Sequence, residues 1–214
     1  MKSVLSLVIL FITVHLNAQM DTTSYSVGMI IAKNLKAQGI SEIDQSSFNQ
    51  AIADVFADRQ LAVSLDEANN RFKSLIEETK NIADLATKRE GMVFLESNGK
   101  RPEVTTTDSG LQYEVLNNTA SGATPGPYDK VKVHYHGTLI DGTVFDSSVE
   151  RQEPISFPLN GVIQGWQEGL QLMKVGDKFR FFIPYDLAYG ERAAGPVIKP
   201  YSTLIFDVEL LGIE

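Results

Sequence analysis

The chain has no cysteine, which excludes disulfides, thiolate nucleophiles and cysteine-held metals. It also excludes a lipidated N-terminal cysteine as a membrane anchor. Histidine is scarce: His15, His134 and His136 are the three. His134 and His136 stand two apart in an alternating stretch, so a strand would aim both to one side. No third ligand is marked by spacing, so a packing or surface role is the expectation, with no metal and no other cofactor. No Ser-His-acid set can be assembled, and no Gly-x-Gly-x-x-Gly or P-loop follows a strand pattern. Basic residues are the minority, 19 Lys and Arg against 27 Asp and Glu, for a net charge of -8. Nothing clusters cations for nucleic-acid phosphates or an anionic membrane surface, so neither is an expected partner.

Long apolar runs are lacking, with one exception. After Met1-Lys2, the run Val4 to Val14 (VLSLVILFITV) is followed by His15, Leu16, Asn17 and Ala18. It is shorter than the ~20 residues a spanning helix needs. The segment 1–18 reads as a secretory signal peptide with cleavage after Ala18. The expectation is export, most simply to a periplasm, with no stable membrane insertion after cleavage. Secretion and surface association would leave the same signal.

What remains divides near Asn98-Gly99. Residues 20–98 read as helical. Ser24 to Ala37 is amphipathic and stops at Gln38-Gly39. A second helix follows Asp44, with Phe48, Ile52, Val55 and Phe56 on one face. A long third helix runs from Ser64 to Ser97, with Ser64 and Glu67 at capping-box spacing. Leu65, Ala68, Phe72, Leu75, Thr79, Ile82 and Ala86 recur at steps of three and four, the seam of a coiled-coil-like packing. Lys88, Arg89 and Glu90 beyond it suggest a solvated rod. Three short helices are little to stabilise alone, so a homodimer through this segment stands beside an ordinary monomeric bundle as a reading.

Residues 99–214 read as β-rich. Lys130 to Leu139 alternates, Asp141-Gly142 is a hairpin turn signal, and Lys178 to Ile183 and Thr203 to Ile213 are strand-like. Val162 to Leu170 is one short helix. The fold class expected is α+β: an antiparallel sheet wrapped on one helix, behind an all-helical N-terminal segment. The chemistry-bearing residues are apolar and aromatic: Trp166, the single tryptophan, with Tyr135, Phe145, Phe157, Tyr189 and Phe206. Most such residues in any protein simply form core.

Their flanking sequence says more. VKVHYHGTLIDGTVFDSS (131–148), GVIQGWQEGLQLMKVGDKFRFFIPYDLAYG and the final PYSTLIFDVELLGIE resemble, in order and spacing, the blocks of FKBP-type peptidyl-prolyl cis-trans isomerases. The resemblance covers Gly110 to Glu214. The N-terminal part, more loosely, is similar to the dimerising segment of the macrophage infectivity potentiator (Mip) branch. The resemblance implies a half-barrel around the helix, with an apolar pocket between them for proline-containing polypeptide clients and for macrolide inhibitors. It implies Trp166 as pocket floor, and Tyr135, Phe145, Val162, Ile163, Ile198 and Phe206 as walls. Asp146 and Tyr189 would be the polar groups. Ile155 stands where an aromatic wall residue is usual, Ala194 where a larger side chain is common, and Lys199 interrupts a usual double proline. These departures bear on substrate preference and macrolide affinity more than on activity. The implied catalytic set is Tyr135, Asp146, Trp166 and Tyr189. A non-catalytic holdase or peptide-binding module on the same fold is the alternative, and Asp146 in FDSS has a purely turn-forming reading.

Overall fold

A computed structural model of the chain describes residues 20–119 and 121–214. The expected signal segment, 1–18, lies outside the described residues. Among those described, no helix is long and apolar enough to cross a membrane. Two compact units divide between Ile76 and Glu77.

The first unit holds α1 (Thr22–Ala37), α2 (Gln45–Phe56) and the start of α3 (Leu65–Asn98). Each begins where a side chain can take an orphan backbone donor. Asp21 accepts from Ser24 N at 2.9 Å, Asp44 from Ser47 N at 2.7 Å and Ser64 Oγ from Glu67 N at 3.2 Å. The capping box at Ser64 is half made. The Glu67 carboxylate turns to Arg71 instead, at 2.7 Å, an i,i+4 pair on the helix surface. Gly39, with φ +84°, ends α1. The apolar face expected on α2 is present but uncovered: Ile52 is 40% and Phe56 84% exposed. Among the described residues of this unit, Ile40 is the one buried large apolar side chain.

The second unit is a seven-stranded antiparallel sheet closed over one helix. In chain order its strands are β1 (Val104–Thr106), β2 (Gln112–Asn117), β3 (Lys130–Leu139), β4 (Val144–Ser147), β5 (Ile155–Pro158), β6 (Lys178–Ile183) and β7 (Leu204–Ile213). The spatial order is β1-β2-β6-β7-β3-β4, with β5 also paired to β3. Alternation fixes which side chains face in. Val131, Val133 and Tyr135 of β3, Phe179, Phe181 and Ile183 of β6, and Leu204, Phe206, Val208 and Leu210 of β7 form the core. The helix α4 (Gln164–Leu170) lies on that inner face. It comes close because Gly165 and Gly169 face the sheet. A Cβ on Gly169 would stand 2.7 Å from the Phe181 ring, and one on Gly165 would strike Ile183. Gly169→Ala is therefore expected to destabilise the domain by ~1–3 kcal/mol through overpacking, read as a lower urea midpoint at unchanged slope.

The outer face of the sheet is also covered, and here the sequence reading is corrected. Phe182 points opposite to Phe181, yet it is buried. The last turns of α3 cover it. Phe94 lies 5.9 Å from the Phe182 ring, and Gly91 sits against Thr203. Asn98 Nδ2 donates to Gln112 Oε1 at 2.8 Å, and Gln112 Nε2 donates to the Leu95 carbonyl at 2.9 Å. The end of α3 is thus packed on the sheet rather than a solvated rod. This is why the compact units divide inside α3 and not at the change of sequence character near Asn98.

Candidate active site

The inner face of the sheet and α4 do not meet everywhere. Where they part, a cavity of about 490 Å³ opens. Trp166 of α4 is its floor, 5% exposed. Three rings brace it: Phe206 at 5.0 Å and Tyr135 at 5.4 Å, both edge-on, and Phe157 at 5.3 Å. Phe145 meets Phe206 edge-on at 5.3 Å. These are the arrangements aromatic quadrupoles favour. The box closes because Gly137 of β3 has no side chain. It pairs with Phe206 on one side and Asp146 on the other, and a Cβ there would lie 2.7 Å from the Phe145 ring.

Every site residue expected from the sequence lies on this one cavity: Tyr135, Phe145, Asp146, Ile155, Val162, Ile163, Trp166, Tyr189, Ile198 and Phe206. They come from distant elements. β3 gives Tyr135, β4 gives Phe145 and Asp146, and β5 gives Ile155. Val162 and Ile163 lead into α4, with Ile163 as its N-cap. The loop between β6 and β7 gives Tyr189, Ala194 and Ile198. That loop is pinned by a backbone bond from Ala194 N to the Ile198 carbonyl, 3.0 Å. Ile155 is 40% and Tyr189 43% exposed, so both stand at the rim. Lys199 is not on this cavity but on a smaller one beside it.

One wall is polar. The Tyr135 hydroxyl donates to Asp146 Oδ2, and Asp146 Oδ1 pairs with Arg151 Nη1. Arg151 Nη2 also donates to the Tyr135 oxygen at 3.0 Å. Burial pushes the Asp146 carboxyl up, but the bonds from Tyr135 and Arg151, with the Arg151 charge, hold it below the usual carboxylate range. Burial first, then the bond to Asp146, push the Tyr135 phenol up. The result is a fixed carboxylate, a fixed phenol and a guanidinium, none poised to exchange a proton near neutrality. His134 and His136 flank Tyr135 on β3, and the Nδ1 of each is 3.0 Å from a serine Oγ, of Ser148 and Ser147 respectively. They tie β3 to Ser147 and Ser148, at the end of the strand that carries Asp146. The indole Nε1 of Trp166 is buried without a hydrogen-bond partner among the described residues.

The sequence singles out Phe157 among the aromatics but gives it no place in the pocket; it shares the face of Ile155 on β5 and lines the cavity, so the period of two is a signal for it. Arg151 lies in the exposed stretch VERQE, where a charged residue carries no mark of its role.

Comparison with known proteins agrees with this geometry. A family model described as "FKBP-type peptidyl-prolyl cis-trans isomerase" matches residues 122–211, and one described as "Domain amino terminal to FKBP-type peptidyl-prolyl isomerase" matches 20–115. The chain is 45% identical over 193 residues to the FKBP-type 22 kDa peptidyl-prolyl cis-trans isomerase of Escherichia coli, covering 89% of this chain and 93% of that one. It is 37% identical to the Outer membrane protein MIP of Legionella longbeachae, covering 93% and 88%. Among solved structures, FkpA from Escherichia coli superposes with a TM-score of 0.77 at 35% identity, covering 90% of this chain and 93% of that one.

Proposed function

This chain belongs to the FKBP-type peptidyl-prolyl cis-trans isomerases, and from that premise we propose that it serves exported, partly folded clients as a homodimer presenting two pockets. The isomerase acts on X-Pro bonds of polypeptides. Rotation about such a bond meets a barrier of ~18–20 kcal/mol, because resonance gives the C–N bond partial double character. Uncatalysed exchange takes tens to hundreds of seconds and limits folding. No covalent bond breaks. The twisted amide has lost resonance, so its oxygen carries less charge than in the planar form. Water favours the planar form, and a dry aromatic box favours the twisted one. That is differential binding of a transition state. Each ~1.4 kcal/mol of such preference is worth tenfold in rate.

In this reading the proline ring rests on Trp166, between Tyr135, Phe145, Val162 and Phe206. The Tyr189 hydroxyl holds a substrate carbonyl and sets register, and the Ile163 backbone offers a further contact. Asp146, fixed by Tyr135 and Arg151, biases the twisting amide electrostatically. The observation that carries the reading is the combination at one cavity: five rings braced on one another, and a locked polar wall whose carboxylate, phenol and guanidinium are not poised to move a proton. The four residues of the implied catalytic set are all present, which favours turnover over a merely holding pocket. Macrolides would enter the same cavity, with Ile155 and Ala194 leaving its rim more open than an aromatic residue at 155 and a larger side chain at 194 would.

The domain reading is a dimerising segment over 20–98 and an isomerase domain over 99–214. The uncovered apolar side chains of α1 and α2 support it. Val27, Ile30, Val55 and Phe56 are each more than half exposed, and burying such a surface is what a second copy would supply. Two tethered pockets would raise the effective concentration of one for a client held by the other. Residues 20–214 are expected to sediment as a dimer and the compact unit 77–214 as a monomer; a monomeric 20–214 would overturn the dimer. Export rests on the expected signal segment and on the outer-membrane name of the Legionella relative. A mature N-terminus at Gln19, read on protein from the periplasmic fraction, is the expected result.

A further inference from the structure

We propose that Lys88, on α3, is a positioning residue for the isomerase pocket, acting through Tyr185 and Tyr201 on the loop that carries Tyr189. This rests on the reading of Tyr189 as a substrate-holding group. Lys88 is far from the cavity in sequence and lies on the outside of the domain, on the helix that the sequence marks as solvated. Its Nζ stands 5.2 Å from the centroid of the Tyr185 ring and 5.3 Å from that of Tyr201. The two rings meet edge-on at 5.2 Å. A cation over two aromatic faces is attracted by both quadrupoles.

The two tyrosines are the ends of a clasp. Gly190 N donates to the Tyr185 carbonyl at 2.8 Å, and the Gly190 carbonyl accepts from Tyr201 N at 2.9 Å. Gly190 is the residue after Tyr189. The backbone of the pocket tyrosine is thus held through its neighbour by both residues that Lys88 covers. The clasp is not self-supporting. Tyr201 has φ +61°, a left-handed conformation unfavourable for a bulky side chain. Such a conformation persists only where the surroundings over-determine it. The surroundings here are the Tyr185 ring and the Lys88 ammonium, and two residues on, Thr203 is packed against Gly91 of α3. Glu191, on the same loop, attracts Lys88 as well. The end of α3 therefore does more than cover Phe182. It sets the rim of the pocket on the opposite side of the loop.

The role predicts a particular kinetic pattern. If Tyr189 holds substrate equally in the planar and twisted forms, loosening it removes uniform binding, which raises KM and leaves kcat. Lys88→Met keeps the stem and removes the cation. Lys88→Arg keeps a cation able to stack on rings. The test uses the otherwise full-length protein and a short X-Pro peptide. It compares Lys88→Met, Lys88→Arg, Tyr189→Phe and the double variant Lys88→Met/Tyr189→Phe. The fluorescence of Trp166, the single tryptophan, reports peptide binding independently of turnover. Lys88→Met is expected to raise KM several-fold with kcat unchanged and to weaken the fluorescence titration equally, while Lys88→Arg restores both. In the Tyr189→Phe background, Lys88→Met is expected to add little, because both changes act through one group. A lower melting temperature for Lys88→Met with KM unchanged would make Lys88 merely structural and overturn the proposal. So would full additivity in the double variant. Both results leave the reading of Tyr189 intact. An unchanged KM for Tyr189→Phe would instead remove that reading, and this proposal with it.

Discussion

Trp166→Ala is expected to cost about 3–5 kcal/mol of stability, the range for emptying a large aromatic side chain from a packed site. The indole is braced by Tyr135, Phe157 and Phe206, so these rings lose their partner at once and the cavity gains volume where water can enter. Water is what the mechanism excludes, so catalysis falls with stability. Two controls separate the effects. Trp166→Phe keeps an apolar ring and sacrifices no hydrogen bond to the described residues, among which the indole Nε1 has no partner. It is expected to retain most stability and a measurable fraction of activity. Denaturant titration and peptide exchange on both variants check this. Equal activity in the alanine and phenylalanine variants, at temperatures where both are folded, would mean the floor of the pocket does not contribute.

Asp146→Ala is expected to lower kcat/KM by about tenfold, the low end for losing a charge-assisted hydrogen bond, since the carboxylate is half open to solvent. The change leaves the Arg151 charge and the Tyr135 hydroxyl without their shared acceptor at the wall of the pocket. Asp146→Asn keeps the shape and an acceptor but not the charge, so an intermediate loss would assign the effect to electrostatics. If Asp146 only shapes the turn in FDSS, alanine would reduce stability and leave kcat/KM of the folded protein intact. A pH series adds a second check. The folded carboxyl is held below its ordinary value, so its stabilising contribution is present above the unfolded range near ~3.9 and is lost as pH falls through the lowered folded value. The difference in unfolding midpoint between wild type and Asp146→Asn should shrink as the pH is taken down through that window.

How much of this was legible in the sequence depends on range. The helix starts at Asp44 and Ser64, the hairpin at Asp141-Gly142 and the strands β3, β6 and β7 are local signals, and they stand where the patterns put them. The short strands β1, β4 and β5 carry too few alternations to be read alone, and they exist because β2 and β3 offer edges to pair with. The pocket was read residue by residue from the resemblance, and its members do converge. Arg151 was not readable, because an exposed arginine five residues past Asp146 acquires its role only when the turn folds back. The covering of Phe182 by α3 was equally invisible. The pattern KFRFFI fits a strand buried on both faces, but nothing in it names what buries the second face. The position of Lys88 over Tyr185 and Tyr201 was invisible for the same reason: helical periodicity places a lysine on a face without saying what lies opposite.

The central claim is that this pocket accelerates rotation by enclosing the twisted amide, with no proton transferred. The measurement that tests it most directly is cis-to-trans exchange of a short X-Pro peptide with residues 20–214, run in light and in heavy water. The account predicts clear acceleration with kcat/KM nearly the same in the two solvents. A folded protein that gives no acceleration, or one whose kcat/KM drops substantially in heavy water, would contradict it.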